Sequence, residues 1–173
     1  MENTNINQNG FKVVRTYAGF WWRFLAVIID GIIISIIQGI FIVPLLGVVG
    51  ISLSAFPESG SVDADSLPYL IAALSSLSML YIVSFGIGWL YYAFFESSKY
   101  QATPGKIMLN IKVTDLQGNP IGFGRATGRY FGKIISAFIF YIGFMMAGFT
   151  SQKQALHDMM AGCLVVKEDK VVV

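Results

Sequence analysis

Two residues at the start of the first long apolar run have side chains that could do chemistry inside a membrane. Arg23 precedes the apolar run at residues 24–53, and Asp30 lies within it, seven positions after Arg23. Seven residues are two helical turns, so both side chains fall on one helix face, about 10 Å apart along the axis. A carboxylate in the bilayer costs about 2.5–3.5 kcal/mol unless it is neutralised, which makes Asp30 a candidate functional group. The alternative is a structural ion pair that fixes helix packing.

The composition independently indicates a membrane protein. Of the 173 residues, 55% are hydrophobic and 13% are charged, whereas ordinary soluble domains carry about a quarter charged residues. The net charge of +2 argues against nucleic acid as a partner. Cys163 is the only cysteine and His157 the only histidine, which excludes a disulfide framework and histidine clusters for metals. We expect no metal and no cofactor.

Two transmembrane helices are predicted at residues 24–46 and 69–95, because a span needs about 20 apolar residues. The segment between them carries acidic charges and no lysine or arginine, whereas the segments that flank the pair are basic. The positive-inside rule therefore places the N-terminus in the cytoplasm and the acidic segment outside. The acidic residues of that segment are Glu58, Asp63 and Asp65.

A third apolar segment, residues 134–149, allows two arrangements. As one straight helix it would carry the C-terminus outside. Folded back at Gly143, it would form a shallow helical hairpin that returns the chain to the cytoplasm. The non-helical backbone of such a turn is tolerated at membrane depth only if protein buries it or it lines a wet cavity. We favour the hairpin because Lys153, Lys167 and Lys170 follow the segment.

Two strand-like segments, residues 107–113 and 163–166, are expected to pair with each other against the membrane face, because a lone hairpin is marginal in water. The expected fold is an all-α integral membrane bundle with two firm transmembrane helices, a third apolar segment and a small cytoplasmic β-hairpin. Residues 17–166 form the membrane domain, between a disordered N-terminal tail at 1–16 and a C-terminal tail at 167–173.

A ladder of small residues lies beside the third segment. Gly124, Gly128 and Gly132 are spaced four apart, which lets two helices approach closely in lipid. The ladder predicts close helix packing and, more weakly, a homo-oligomer. Enzyme motifs are not complete: Ile107 follows Lys106 where a phosphate loop needs serine or threonine, and no GxSxG nucleophile elbow is present. We expect no enzymatic activity.

Three blocks of this sequence resemble RDD-family membrane proteins, which are named for one arginine and two aspartates. The blocks are residues 18–30, residues 96–113 and residues 154–162 with the valine-rich strand after them. The name-giving residues correspond to Arg23, Asp30 and Asp158. The resemblance implies a small multi-pass protein of the bacterial inner membrane. It also implies transport, since cation/proton exchange is proposed for some members.

The other charged candidates lie at the cytoplasmic boundary of the predicted helices. Asp158 could meet Arg129 or Lys106, and Glu96 could partner Lys99 or Lys106. Such charges would gate a transport site or anchor it. For Asp158 the structural interpretation, in which it pins the hairpin and tail to the bundle, is favoured.

Two functional hypotheses follow. In the first, the protein is a small transporter in the lipid bilayer, where Asp30 exchanges a monovalent cation for a proton. Three or four short helices enclose little space, so this transporter would need to form a homo-oligomer. In the second, it is a non-transporting scaffold or accessory protein that acts through its cytoplasmic hairpin at residues 106–121. An enzyme acting on a lipid is a distant third.

Overall fold

The computed structural model describes residues 5–6, 11–55, 65–139 and 142–172. Helices dominate these residues, and short strands flank the helices. In chain order the elements are β1 (Asn5–Ile6), β2 (Phe11–Tyr17), α1 (Phe20–Ser54), α2 (Leu67–Ser97), α3 (Pro104–Met108), β3 (Ile111–Asp115), α4 (Phe123–Phe138), α5 (Ile142–Phe149), α6 (Leu156–Met160) and β4 (Cys163–Val172).

The two predicted transmembrane helices are confirmed as long apolar helices. With 35 and 31 residues, α1 and α2 are long and apolar enough to cross a membrane, and each spans more than the about 30 Å of a hydrocarbon core. α1 continues through Pro44 to Ser54, beyond the predicted end at residue 46, because the apolar run itself continues. Large side chains such as Ile36 and Ile40 are exposed, as expected of a surface that faces lipid.

The chain forms two compact units. One unit combines the chain up to Gly31 with the chain from Trp89 onward, and the other is residues 32–88. All the charged candidates named above, apart from those of the acidic segment, belong to the first unit. Within the second, the Gln38 amide donates to the Ser84 carbonyl at 2.9 Å, which satisfies a polar group among apolar helices.

The strands form one antiparallel sheet in the order β1-β2-β4-β3. The predicted pairing of the two strand-like segments is confirmed, since Val113 of β3 lies opposite Val165 of β4. β3 begins at Ile111 rather than at the predicted residue 107, because Pro104 starts a short helix that runs to Met108. Asn110, with a φ of 56°, then turns the chain into the strand.

The sheet also contains parts of both segments that were expected to be tails. β2 begins at Phe11, and β4 extends to Val172. These strands pair along their length, with Arg15 opposite Glu168 and the two side chains joined at 2.9 Å. Each segment alone lacks a strong strand pattern, but together they satisfy each other's backbone groups.

The sheet constrains the path of the third apolar segment. β2 precedes α1, β3 follows α2 and β4 follows α5, yet all three strands share one sheet. The chain therefore returns after α5 to the side of the membrane where β2 lies, and α4 and α5 are bent by 103° relative to each other. This supports the predicted helical hairpin, with its bend between Phe138 and Ile142 rather than at Gly143. Gly143 instead allows close packing, because a Cβ there would lie 2.8 Å from the Ser136 Cβ.

The predicted outside loop falls largely outside the described residues. Glu58 and Asp63 are not among the described residues, and Asp65 lies in a turn before α2. The orientation derived from this loop therefore stays a prediction. Cys163 is buried and unpaired with another cysteine, in a core formed with residues such as Ile111, Val113 and Val165.

Candidate functional site

Asp30 lies on α1 and its side chain is fully buried. Its Oδ1 atom accepts hydrogen bonds from the Tyr91 hydroxyl and from the Gly105 backbone N–H, both at 2.8 Å. Its Oδ2 atom accepts one from the Thr103 hydroxyl at 2.6 Å. All three donors are neutral, so they hold the carboxylate in place without balancing its charge.

Gly105 is the residue that lets α3 approach α1 this closely. A Cβ at this position would lie 2.6 Å from the Ala26 carbonyl oxygen and 2.7 Å from the Asp30 Oδ1. The first contact is with backbone, which cannot move aside cheaply. The sequence Thr-Pro-Gly-Lys at residues 103–106 therefore suits this close approach, because it supplies a hydroxyl, a helix start and a bare amide to Asp30.

A second buried group of charges surrounds Glu96 at the end of α2, where the side chain is 1% exposed. Lys106 donates to its Oε1 atom and Arg129 to its Oε2 atom, each at 2.6 Å. Lys133 lies 3.6 Å from Oε1 and stacks on the Tyr92 ring, 3.7 Å from its centroid.

Asp158 on α6 continues this network. The Arg129 Nε donates to its Oδ1 atom at 2.7 Å, so one guanidinium bridges Glu96 and Asp158. Arg23 donates to the Oδ2 atom of Asp158 and to the backbone carbonyl of Lys153. The network thereby joins α1, α2, α3, α4 and α6, and we refer to Arg23, Glu96, Lys106, Arg129 and Asp158 as the ion network.

Burial and charge shape the titration of the ion network where it lies outside the long helices. Burial opposes ionisation of Asp158, but Arg129 and Arg23 outweigh it and hold the pKa of its carboxyl well below the usual value. Burial lowers the pKa of the Lys106 ammonium, although Glu96 opposes that shift. Asp158 is therefore a carboxylate at neutral pH and remains paired.

His157 behaves as a polar packing residue. Burial lowers the pKa of its imidazole to about 3, although the neighbouring Asp158 acts against this shift. Its Nδ1 lies 3.3 Å from the Ser136 Oγ, and its ring lies 5.1 Å from the ring of Phe144. The imidazole is therefore neutral at physiological pH.

The structure brings most of the sequence-predicted residues together, and two of the predicted pairs form while one does not. The predicted pairs Glu96–Lys106 and Asp158–Arg129 form. Arg23 does not pair with Asp30. Seven residues place it two turns away along the axis, where it pairs with Asp158 instead.

Only one end of the glycine ladder packs closely within the chain. A Cβ at Gly132 would lie 3.0 Å from the Cβ of His157, so this glycine admits α6. A Cβ at Gly124 or Gly128 would meet nothing within 4 Å. The predicted close packing therefore holds for Gly132.

Sequence reasoning missed the partners of Asp30 and the contribution of Lys133. In the sequence, Tyr91 belongs to an aromatic cluster at the end of the second helix, and Thr103 and Gly105 belong to an incomplete phosphate loop. The useful signal is a rigid Pro-Gly step just after a transmembrane helix, which marks a close backbone approach. Lys133 carries no comparable signal, because its contact depends on how α4 packs.

The two long apolar helices and the bent helix pair define a membrane protein. Its buried residues include a group of charged side chains. The profile of the RDD family matches residues 17–162, and the chain belongs to the RDD family. Arg23, Asp30 and Asp158 all lie within the matched range.

Two relatives from Bacillus subtilis (strain 168) are similar over most of their length. An uncharacterized protein, YxaI, is 38% identical over 149 residues, which cover 86% of this chain and 96% of that protein. An uncharacterized membrane protein, YteJ, is 26% identical over 167 residues, which cover 93% of this chain and 87% of that protein. No solved structure matches the chain.

Proposed function

We propose that the protein exchanges a monovalent cation for a proton across the membrane, with Asp30 binding each in turn. The observation that carries the proposal is that all three hydrogen-bond donors to this buried acid are neutral groups. Within the described ranges, none of the ion pairs shorter than 4.0 Å involves Asp30, whereas Glu96 and Asp158 each contact two or more cationic groups.

The chemistry of the Asp30 partners fits alternate occupancy. A buried carboxylate needs a countercharge, and either a proton or a small cation supplies it. The hydroxyls of Tyr91 and Thr103 can donate or accept, so they can turn their oxygen lone pairs towards a cation beside Asp30. Oxygen ligands of this kind suit hard cations.

The ion network supports this site by holding α3. Gly105 contacts Asp30 and the adjacent Lys106 contacts Glu96, so one short helix touches both groups. Because Asp30 is fully buried, exchange requires α3 to move away from α1. The Lys106–Glu96 pair limits this movement and guides its return.

The proposal includes an orientation and an oligomer. Arg15 lies in β2, Lys112 lies in β3, and Lys99 lies in the turn after α2. These positive charges support a sheet on the cytoplasmic side of a bacterial inner membrane. Gly124 and Gly128 have open space around them, which offers a seam for a second copy, since one subunit encloses little space.

One observation favours the accessory role instead. A cavity of about 620 Å³ lies beside β3, lined by charged residues that include Lys99, Lys112, Glu168 and Asp169. Such a recess of mixed charged and apolar lining, at the edge of the sheet, could receive a segment of a partner protein. In that case the protein would act through residues 106–121, and Asp30 would matter only for stability.

Ion movement in liposomes separates the two functions. Purified protein is reconstituted with a pH-sensitive dye inside, and an outward gradient of Na⁺ or K⁺ is imposed. We expect cation-dependent proton movement that falls at least tenfold, on the order of 1.4 kcal/mol, in Asp30→Asn. Asp65→Asn, at an exposed acid, is the matched control and should retain the rate.

Two results would count against transport. The first is the absence of dye response with every monovalent cation tested, although the reconstituted protein is folded. The second is a response that survives Asp30→Asn. Size-exclusion profiles and thermal unfolding of each variant show whether a lost response reflects lost fold.

A further inference from the structure

A groove of about 500 Å³ lies where the first turn of α1 approaches α5. Trp21, Trp22, Met145 and Phe149 form much of its wall, and Lys153 is the only charged residue among the described ones that line it. The volume falls within the about 300–1,000 Å³ of ordinary ligand sites. This groove shares no lining residue with the cavity beside β3 and does not include Asp30.

The wall of the groove is apolar and open to its surroundings. Trp21 is 75% exposed and Phe149 is 86% exposed, an apolar surface that water would disfavour. The groove lies where α1 enters its apolar run, at the depth where tryptophan rings prefer the boundary between headgroups and acyl chains. Lipid is therefore the natural neighbour of this wall.

Lys153 places one positive charge at the rim of the groove. Its Nζ donates to the Gly148 carbonyl at 3.2 Å, and its other N–H groups remain available, since an ammonium has three donors. None of the ion pairs found in the described ranges gives it an acidic partner. Its backbone is fixed by a φ of 51° and by the Arg23 hydrogen bond to its carbonyl.

We propose that this groove binds one anionic phospholipid of the surrounding bilayer, with the phosphate at Lys153 and an acyl chain along Trp21 and Phe149. Charge complementarity selects the headgroup: a zwitterionic lipid would bring its own ammonium towards Lys153, whereas an anionic lipid such as phosphatidylglycerol carries no cationic group. Basic pockets beside membrane helices favour anionic headgroups for the same reason.

Tryptophan quenching by brominated lipids tests the site in the full-length protein. The chain has three tryptophans, so Trp89→Phe leaves only Trp21 and Trp22 as reporters. This protein is placed in nanodiscs of phosphatidylcholine that contain increasing fractions of brominated phosphatidylglycerol or, in parallel, brominated phosphatidylcholine. We expect half-maximal quenching at an about fivefold lower fraction of phosphatidylglycerol, the preference that one lysine near the surface confers.

Variants assign this preference to the groove. Lys153→Gln should remove it, whereas Lys99→Gln, at an exposed lysine outside the groove, should keep it. Gly148 lines the groove, so the side chain of Gly148→Leu should occupy the space of an acyl chain and weaken quenching by both lipids. The fold should accept this change, because an added Cβ there would meet only the Phe20 Cβ, at 3.9 Å. Gly148→Leu is therefore a second test that does not depend on the charge of Lys153.

Three outcomes would overturn the proposal. Equal quenching by the two lipids would indicate ordinary surrounding lipid without selection. A preference that persists in Lys153→Gln would place the anion elsewhere. Quenching by neither lipid would indicate that protein, such as a second copy of the chain, covers the groove.

Discussion

Two buried acids contact neighbouring residues of one short helix, and the fold surrounds them in opposite ways. Glu96 is held by the cationic groups of Lys106 and Arg129, whereas Asp30 is held by neutral donors, among them the amide of Gly105. Burial is nearly complete for both carboxylates. The two acids therefore differ in the charge of their partners rather than in burial, and the proposed exchange at Asp30 depends on that difference.

The largest effect is expected from breaking the ion network. Arg129→Met leaves both Glu96 and Asp158 without their shared partner, and loss of one member of a buried ion pair costs about 3–5 kcal/mol. Thermal unfolding in detergent should show this loss. Arg125→Met, at an exposed arginine one turn earlier on α4, is the control and should change stability by less than about 0.5 kcal/mol. Equal effects of the two changes would contradict the assignment.

The next largest effect is expected from crowding the contact between α3 and α1 beside Asp30. Gly105→Ala adds a Cβ 2.6 Å from the Ala26 carbonyl, and we expect a loss of about 2–3 kcal/mol, as for overpacked cores. Ion exchange in liposomes should fall as well. Gly47→Ala on α1, where the added methyl meets nothing within 4 Å, should be neutral or slightly stabilising. A harmless Gly105→Ala would show that α3 does not lie against α1.

The pH dependence of stability tests the burial of His157 beside Asp158, a member of the ion network. The pKa of His157 is lowered from 6.5 to about 3, so between these values the unfolded chain binds a proton that the folded chain does not. Stability is therefore full above pH 6.5 and falls as the pH drops below it, by about 2 kcal/mol at pH 5. His157→Gln should remove this slope in unfolding measurements at pH 7 and pH 5. An unchanged slope would mean that another group titrates there.

The smallest effect is expected from removing one neutral donor. Tyr91→Phe deletes one of the three hydrogen bonds to Asp30 and should cost about 1–2 kcal/mol. The cation concentration at half-maximal exchange should rise in the same variant, since a ligand oxygen is lost. Tyr81→Phe, at a tyrosine that is 76% exposed, serves as the control. If both changes shift the exchange equally, Tyr91 is not part of the site.

The long helices and the strand pairing could be predicted because their signals are local. An apolar run longer than a bilayer is thick identifies α1 and α2, and the alternation before Val113 identifies β3. The strands at Phe11–Tyr17 and in the second half of β4 could not be predicted, because each depends on a partner more than 140 residues away. Their pairing is a tertiary property that neither segment carries alone.

The site was predictable in part: the pairs Glu96–Lys106 and Asp158–Arg129 were predicted, whereas the partners of Arg23 and of Asp30 were not. The charges at and within the first apolar run are rare enough to single out Arg23 and Asp30, whereas Asp158 was singled out by the resemblance to the RDD family. Helix periodicity placed Arg23 and Asp30 on one face, but it could not show that α6 returns to Arg23. That return depends on the bend after Phe138.

The central claim is that the countercharge of Asp30 comes from a proton or a cation and not from a side chain. Infrared difference spectroscopy of the reconstituted protein at constant pH tests it directly, because a protonated carboxyl has a C=O band that an ionised one lacks. Adding the transported cation should bleach such a band in the wild type and in Asp65→Asn, and not in Asp30→Asn. A band that does not respond to any monovalent cation, or one that still bleaches in Asp30→Asn, would contradict the account.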